Sequence, residues 1–179
     1  MALAPTHLSK PLQGDPLKIA LVGSPNVGKS ALFNQLTKLY VSVSNYPGTT
    51  VSLARGKMTI QENLYEVIDT PGMYSLLPIT DEERVSRKII FEGKLHAVIH
   101  VVDAKNLERM LPLTLQLRET GLPLILALNM SDEAEKSGIE IQAPILEKYL
   151  CLPVIKTVST QGVGMNLLKE RIYEFAHWL

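Results

Sequence analysis

Apolar and polar positions alternate along the chain in blocks that predict strands and helices in turn. Short apolar runs typical of buried strands predict six strands, near residues 18–22, 51–60, 64–68, 96–102, 123–128 and 152–156. Apolar residues at helical spacing predict helices near residues 29–38, 82–92, 106–120, 141–150 and 165–177. Such alternation is typical of an α/β domain with a mostly parallel sheet and helices on both faces. The second and third strands, which meet through residues 61–63, are expected to pair antiparallel.

Composition and length bound the class of protein. Residues 1–16 contain Pro5, Pro11 and Pro16 with little periodicity and are expected to be a flexible lead-in, so residues 17–179 form one domain of ordinary size. The formal charge is zero, from 18 basic and 18 acidic residues, which argues against a nucleic-acid partner. The longest apolar stretch, residues 122–130, is far short of the ~20 residues that span a bilayer.

The segment between the first predicted strand and the first predicted helix has the pattern of a phosphate-binding loop. Its residues are Gly23, Ser24, Pro25, Asn26, Val27, Gly28, Lys29 and Ser30, followed by Ala31. The two glycines let backbone N–H groups point at an anion. Lys29 is expected to reach the β- and γ-phosphates, and the Ser30 hydroxyl to bind Mg²⁺. The pattern therefore predicts a nucleotide-binding protein.

A second motif selects the base. Asn129-Met130-Ser131-Asp132 follows the apolar run 122–128, at the carboxyl end of a predicted strand, where open α/β sheets bind ligands. The Asp132 carboxylate can accept from both N1–H and the N2 amine of guanine, whereas adenine has no such pair of donors. Met130 can cover the base with an apolar side chain. The alternative for Asp132 is a helix N-cap.

Two further segments have the chemistry of γ-phosphate sensors. Asp69-Thr70-Pro71-Gly72 follows a predicted strand; Asp69 is expected behind the Mg²⁺ ligands, and the Gly72 N–H to contact the γ-phosphate. Residues 45–50, which include Gly48, are expected to carry the first switch loop, in which a threonine hydroxyl binds Mg²⁺. On chemistry alone, either Thr49 or Thr50 fits that role.

The segment after the last predicted strand resembles the one with which Ras-like GTPases present a backbone N–H to guanine O6. Its residues are Val158, Ser159 and Thr160. Related GTPases usually have alanine where this chain has Thr160, and a β-branched hydroxyl residue can reshape the loop by local hydrogen bonds. We therefore expect modest nucleotide affinity and fast GDP release.

Taken in order, these segments resemble the guanine-nucleotide domain of the bacterial ferrous-iron transporter B family. The resemblance covers roughly residues 17–178 and rests on the stretches 45–51, 69–76 with 81–82, 102–109 and 128–135. It implies a Ras-like P-loop GTPase fold that binds GTP or GDP. It also implies Thr50 rather than Thr49 as the switch threonine, and a place at the cytoplasmic face of the bacterial inner membrane beside a ferrous-iron permease.

The resemblance also implies how GTP would be hydrolysed. Many Ras-like enzymes orient the attacking water with a glutamine where this chain has Met73. In similar GTPases the residue at the position of Asn26 helps to hold a K⁺ ion between the phosphates, which neutralises charge as an arginine finger does. We expect slow, K⁺-stimulated hydrolysis, with Asn26, Lys29, Thr50 and Gly72 as the catalytic set.

Several alternatives stay open at this stage. The family's helical regulatory domain and transmembrane permease have no counterpart in residues 1–179, so the chain is either a piece of a longer protein or an abbreviated homologue. Apolar residues near the end, Phe175, Trp178 and Leu179, could drive a homodimer. The second functional hypothesis is a nucleotide-dependent module that assembles with RNA or a protein, with hydrolysis as a timer.

Cysteine and histidine add little. Cys151 is the single cysteine, which excludes an intrachain disulfide, and it is expected to be a small buried apolar residue. His96 and His100 would share one strand face, too far apart to favour a metal site.

Overall fold

The computed structural model describes residues 15–37 and 40–177. The strands are β1 (Leu17–Val22), β2 (Tyr40–Asn45), β3 (Ser52–Ile60), β4 (Asn63–Asp69), β5 (Ala97–Asp103), β6 (Leu124–Asn129) and β7 (Val154–Lys156). The helices are α1 (Lys29–Leu36), α2 (Asp81–Glu92), α3 (Leu107–Glu119), α4 (Ser131–Lys136), α5 (Ala143–Leu150) and α6 (Met165–His177). Short 3₁₀ turns follow β5, at Ala104–Asn106, and β7, at Ser159–Gln161.

The strands described form one sheet in the order β2-β3-β4-β1-β5-β6-β7. The pairs β4-β1, β1-β5, β5-β6 and β6-β7 are parallel, whereas β2-β3 and β3-β4 are antiparallel. The central strands are almost wholly buried, as strands covered on both faces must be. Their carboxyl ends meet at one edge of the sheet, where the motifs gather.

Two hydrophobic cores cover the two faces of the sheet. One contains side chains of α2, α3, α4 and α5, and the other side chains of α1 and α6. This is the predicted architecture of a sheet between two layers of helices, and every strand and helix predicted from the periodicity is present with boundary shifts of a few residues.

The structure adds two elements to the prediction. The sheet has seven strands rather than six, because residues 40–45 pair with β3 as an edge strand. Both faces of β2 from residue 41 to 45 are exposed, so no buried apolar pattern marks it. The six-residue helix α4 was also missed; only Ser131 and Ala134 are buried, too few for a helical period.

The burial expected for Cys151 is wrong, and other expectations lie outside the described residues. Cys151 is exposed rather than buried, because it ends α5 in the left-handed conformation with φ 52°. Phe175 is partly buried and packs against the α1 and α6 core. The flexible lead-in predicted for residues 1–16 falls mostly outside the described residues, as do Trp178 and Leu179.

Within residues 15–37 and 40–177, no helix has the length and apolar character needed to cross a membrane. The same residues contain no cluster of three or more histidine, cysteine, aspartate or glutamate side chains arranged to hold a metal.

Candidate nucleotide-binding site

The phosphate-binding loop leaves β1 at Gly23 and enters α1 at Lys29. A side chain at Gly23 would place its Cβ 2.2 Å from the Val101 carbonyl oxygen, so the loop passes too close to β5 for any residue but glycine. Gly28 caps the amino end of α1 with φ 84°, in the left-handed region that glycine adopts at little cost. The amino terminus of α1 therefore opens into the loop, where its partial positive charge favours an anion.

Lys29 is the cation of the loop. Its side chain is buried, and Nζ donates a hydrogen bond to the Ser24 carbonyl oxygen at 3.4 Å. Burial lowers the pKa of Lys29, and the charge of the Asp69 carboxylate partly opposes that shift. A bound phosphate group would offset the cost of burying this ammonium by pairing with its positive charge.

Ser30 and Asp69 form the oxygen pair expected at a Mg²⁺ site. The Ser30 hydroxyl donates to Asp69 Oδ2 at 2.8 Å, while Asp69 Oδ1 is buried and has no hydrogen-bond partner in the described residues. Burial raises the pKa of Asp69, opposed by the Ser30 hydrogen bond and then by Lys29. A hydroxyl beside an unsatisfied carboxylate oxygen is a donor set that fits a hard cation such as Mg²⁺.

A cleft of about 430 Å³ joins these residues to both switch segments. It is lined by Lys29, Ser30, Val43, Thr50, Val51, Ser52, Ala54, Asp69, Thr70, Pro71, Gly72 and Glu82. The phosphate loop, one predicted switch threonine and the Asp-x-x-Gly motif thus meet in one place. Asn26, Gly48 and Thr49 do not line it.

The turn between β2 and β3 separates the roles of the two candidate threonines. The Thr49 hydroxyl donates to the Tyr46 carbonyl oxygen at 2.9 Å and accepts from the Val51 N–H at 3.2 Å, so it holds the turn together. Thr50 is exposed and lines the cleft. This difference favours Thr50 as the residue that would reach a metal-bound phosphate.

The Asp-x-x-Gly segment packs directly against the phosphate loop. The Thr70 hydroxyl donates to the Leu21 carbonyl oxygen at 2.7 Å, and the Met73 N–H donates to the Gly23 carbonyl oxygen at 3.1 Å. A Cβ at Gly72 would lie 2.7 Å from Pro25 Cγ. Met73 is fully buried, so its side chain points away from solvent rather than toward a water molecule.

Glu83 holds residues 74–80, which follow the Asp-x-x-Gly motif, in place. This role was not predicted from the sequence. Its carboxylate accepts N–H hydrogen bonds from Ile79 at 2.8 Å, Thr80 at 3.3 Å and Tyr74 at 3.3 Å, and these bonds, led by the Ile79 N–H, hold the pKa of Glu83 below its usual range. The Thr80 hydroxyl in turn accepts from the Glu83 N–H, completing a capping box for α2. Thr80-Asp81-Glu82-Glu83 carries the Thr-x-x-Glu signature of that box, so the sequence contained the signal.

Asn129 connects the base motif to the phosphate loop. Its Nδ2 donates to the Val27 carbonyl oxygen at 2.9 Å. Its Oδ1 accepts from the Ser159 N–H at 3.0 Å, from the Ser159 hydroxyl at 2.7 Å and from the Thr157 hydroxyl at 3.2 Å. One buried amide therefore holds the loop, the base motif and the segment 158–160 together, as predicted sites of a single ligand should be.

The remaining base-motif residues surround the start of α4. Met130 has φ 57° and reaches toward Gly28, where a Cβ would lie 3.6 Å from Met130 Cε. Asp132 does not cap α4; it lies in the first turn, and Lys136 Nζ contacts its carboxylate at 3.1 Å. Because Lys136 is largely exposed, this contact is weak and can yield to a ligand. Thr160 is exposed in the 3₁₀ turn beside Ser159.

Asn26 occupies the tip of the phosphate loop. It is exposed, with φ 64°, a conformation that asparagine tolerates better than most residues. No side-chain hydrogen bond engages its amide within residues 15–37 and 40–177, so its carbonyl oxygen is available to a cation. Val43 and Glu82 also line the cleft; Val43 belongs to no motif, and Glu82 lies in the stretch 81–82 of the family resemblance, although no role at the site was predicted for it.

A buried polar pair lies behind the phosphate loop. His100 on β5 is 1 % exposed, and its Nδ1 lies 3.0 Å from the Thr114 hydroxyl on α3. Nε2 is buried without a hydrogen-bond partner among the described residues. Burial, aided by the positive charge of Lys29, lowers the pKa of His100 to about 3, so the ring is neutral at physiological pH.

Comparison with known proteins shows which family this chain resembles. Residues 17–172 match the family model FeoB_N, described as Ferrous iron transport protein B. The Fe(2+) transporter FeoB of Escherichia coli (strain K12) is 45 % identical over 160 residues, and the same identity is found with the Shigella flexneri protein. Each match covers 87 % of this chain but 21 % of the relative, so the chain spans about a fifth of the length of these curated relatives.

Solved structures extend the likeness to three dimensions. The G domain of the T. maritima FeoB iron transporter is 40 % identical, with a TM-score of 0.85, and the match covers 91 % of this chain and 100 % of that one. The cytosolic domain of the same transporter in a GMPPNP form is 41 % identical, with a TM-score of 0.87, over 90 % of this chain and 64 % of that one. The match of the family model to residues 17–172, together with the P-loop GTPase fold shared with those structures, identifies this chain as a member of the ferrous iron transport protein B family.

Proposed function

We propose that this chain is a GTP-hydrolysing switch that regulates or drives ferrous-iron uptake at the cytoplasmic face of a bacterial inner membrane. In this proposal residues 17–179 form the GTPase domain, and its partner is the ferrous-iron permease of the same family protein. The observation that carries the proposal is the Asn129 side chain, which ties the Val27 carbonyl to the base motif and so spaces a phosphate site and a guanine site for one ligand.

Each predicted residue has a role in nucleotide binding. Backbone N–H groups of the loop surround the phosphates and Lys29 neutralises them, while Asp132 selects guanine and Met130 covers its ring. The other members of the nucleotide site flank these: Gly23, Ser24, Pro25, Val27, Gly28, Ala31, Gly48, Thr49, Thr70, Pro71, Val158, Ser159 and Thr160. A nucleotide therefore lies across the carboxyl ends of β1, β5 and β6.

Mg²⁺ would be held by Ser30 and Thr50, with Asp69 behind them. The fit rests on the Ser30 hydroxyl at 2.8 Å from Asp69 and on the buried, unpartnered Oδ1 of that carboxylate. When bound, Mg²⁺ neutralises charge on the β- and γ-phosphate oxygens. Thr50 and the Gly72 N–H sense the γ-phosphate, so the turn between β2 and β3 and the segment 70–80 respond to its loss.

Hydrolysis relies on charge rather than on a glutamine. Met73 is buried and apolar, so it orients no water, and the burden falls on Lys29 and on a K⁺ ion that Asn26 would hold. The free amide of Asn26 at the loop tip fits this role. When bound, K⁺ neutralises charge that develops on the leaving phosphate. The expected outcome is slow, K⁺-stimulated hydrolysis.

The experiment is the GTPase rate at saturating Mg²⁺ in matched K⁺ and Na⁺ buffers for the wild type, Asn26→Ala and the control Asn34→Ala, an exposed asparagine of α1. K⁺ should stimulate the wild type and the control but not Asn26→Ala. Equal rates in the two salts would contradict the role of K⁺, and absence of GTP binding would contradict the proposal as a whole. Cells that carry Lys29→Ala in the intact gene should also lose ferrous-iron uptake.

Thr160 sets the expected affinity. It is exposed in the segment that is expected to meet guanine O6, and its branched side chain is bulkier than the alanine usual in related GTPases. We therefore propose modest GDP affinity and fast GDP release, with Thr160→Ala binding more tightly. A dissociation constant for GDP in the low nanomolar range in the wild type would contradict this.

A further inference from the structure

A second cleft opens beside the first switch turn and shares no lining residue with the nucleotide cleft. It measures about 200 Å³ and is lined by Lys18, Tyr46, Arg55, Ile68, Lys88, Ile89, Glu92 and Gly93. Ile68 and Ile89 are buried and form an apolar floor, whereas four of the other lining residues are charged: Lys18, Arg55, Lys88 and Glu92. Because ligand pockets usually enclose ~300–1,000 Å³, this cleft suits a small ligand or a single chemical group.

The cleft has an excess of positive charge. Neither Lys18 nor Lys88 has an ion-pair partner within residues 15–37 and 40–177, and Arg55 is held by Glu66 at 3.1 Å. Glu92 is the one acidic residue among those that line it. Because the formal charge of the whole chain is zero, this excess of positive charge is local, and it favours the binding of an anion in the cleft.

The cleft is also joined to the switch turn through Tyr46. The Tyr46 ring packs against the core beside α2, its N–H donates to the Val51 carbonyl oxygen at 2.8 Å, and its own carbonyl oxygen accepts from the Thr49 N–H at 3.0 Å. Tyr46 is therefore the base of the turn that presents Thr50. A ligand that contacts Tyr46 would therefore act on the conformation of the turn that presents Thr50.

We propose that this cleft binds a phosphate group, carried either by a small soluble molecule or by a lipid headgroup. A phosphate is a compact polyvalent anion, and lysine ammonium groups bind it as point charges with three donors each. The apolar floor accommodates the carbon skeleton that carries the phosphate. This site shares no lining residue with the larger cleft, in which the proposed nucleotide would bind.

The test uses protein saturated with GDP, so that the phosphate loop is filled before the second ligand is added. Binding of GDP is measured first in the same sample, and its failure would count against the proposed function alone. Inorganic phosphate is then titrated by calorimetry, and co-sedimentation is measured with phosphatidylcholine vesicles that contain or lack phosphatidic acid. The variants are Lys18→Gln with Lys88→Gln, the same pair changed to arginine, and the control pair Lys148→Gln with Lys169→Gln on α5 and α6.

The glutamine pair at Lys18 and Lys88 should weaken binding about tenfold or more, whereas the arginine pair and the control should bind as the wild type does. Binding of free phosphate alone identifies a soluble ligand, and binding only to vesicles with phosphatidic acid identifies a lipid. Equal binding by all variants would overturn the proposal, because the anion would then sit elsewhere. Absence of binding to both probes would overturn it as well.

Discussion

The side-chain amide of Asn129 donates to the carbonyl oxygen of Val27 at 2.9 Å, although the two residues are 102 positions apart in the chain. The other end of the same amide accepts hydrogen bonds from Thr157 and Ser159. The phosphate loop therefore keeps its position relative to the predicted base motif through one buried side chain rather than through the sheet alone.

Replacement of Asn129 by alanine should damage stability and binding together. Val27, Thr157 and Ser159 would each lose a partner in a buried setting, where an unsatisfied group costs about 1–3 kcal/mol, so we expect a loss of about 2–4 kcal/mol in the free energy of unfolding. GDP affinity should fall more than about tenfold. Urea unfolding and GDP titration measure both, with the exposed Asn166→Ala as control. Wild-type GDP affinity in Asn129→Ala would refute this role.

Alanine substitutions at two glycines should distinguish the cost of a steric clash from the cost of backbone strain. Gly28 and Gly138 have similar φ values, 84° and 76°, but a Cβ at Gly28 would lie 2.2 Å from Asn129 Nδ2, whereas one at Gly138 meets no atom within 4 Å. Gly138→Ala should cost about 1–2 kcal/mol of unfolding free energy, the cost of strain alone. Gly28→Ala should cost clearly more and also weaken GDP binding. Equal losses in the two variants, measured by urea unfolding, would show that the clash is relieved without cost.

Alanine substitutions of Thr49 and Thr50 should affect different properties of the protein. Thr50→Ala removes a hydroxyl from the cleft and should lower the GTPase rate and the Mg²⁺-dependent affinity for GMPPNP, with GDP affinity unchanged. Thr49→Ala removes two hydrogen bonds of the turn and should instead speed amide exchange at Tyr46 and Val51. Nucleotide titrations and hydrogen exchange on both variants make the comparison. Loss of GMPPNP affinity in Thr49→Ala alone would reverse the assignment.

Acid should destabilise the fold through His100. Its pKa is about 3 in the native state, against 6.5 in the unfolded chain, so below pH 6.5 the unfolded chain takes up a proton that the native state refuses. This contribution to stability is complete above pH 6.5 and is lost as the pH falls toward 3, at up to about 1.4 kcal/mol per unit. The free energy of unfolding of His100→Gln should fall less steeply between pH 6.5 and 4.5. Thr114→Val, which keeps the histidine, should retain the wild-type slope.

The local features of this fold could be read from its sequence. The phosphate loop, the Asp-x-x-Gly segment and the base motif each follow an apolar strand, and because strand ends in a parallel sheet meet at one edge, their clustering could be predicted. β2 could not, because its side chains from residue 41 to 45 are exposed and leave no buried pattern. Its stability comes from backbone pairing with β3, which side-chain periodicity does not report.

Relationships between distant residues were the least predictable part of the site. The bond between Asn129 and Val27 and the position of Val43 in the cleft depend on tertiary packing, to which no local pattern points. The burial of Cys151 was predicted wrongly for a similar reason. Cysteine is usually buried, but here the residue is exposed in the left-handed conformation at the end of α5. The choice between Thr49 and Thr50 likewise needed the turn geometry, which the residues alone left open.

The span of the Asn129 contacts has a consequence for synthesis of the protein on the ribosome. The loop at residues 23–30 emerges early, but Asn129, which bonds its Val27 carbonyl, and Ser159, which bonds Asn129, emerge much later. Chain entropy opposes contacts between residues so far apart in the sequence, and the Asn129 contacts that offset this cost cannot form until these residues have been synthesised. A nascent chain stalled before Ser159 should therefore not retain GDP, whereas one stalled well beyond it should. Retention of labelled GDP by arrested chains of increasing length would therefore time the completion of the fold.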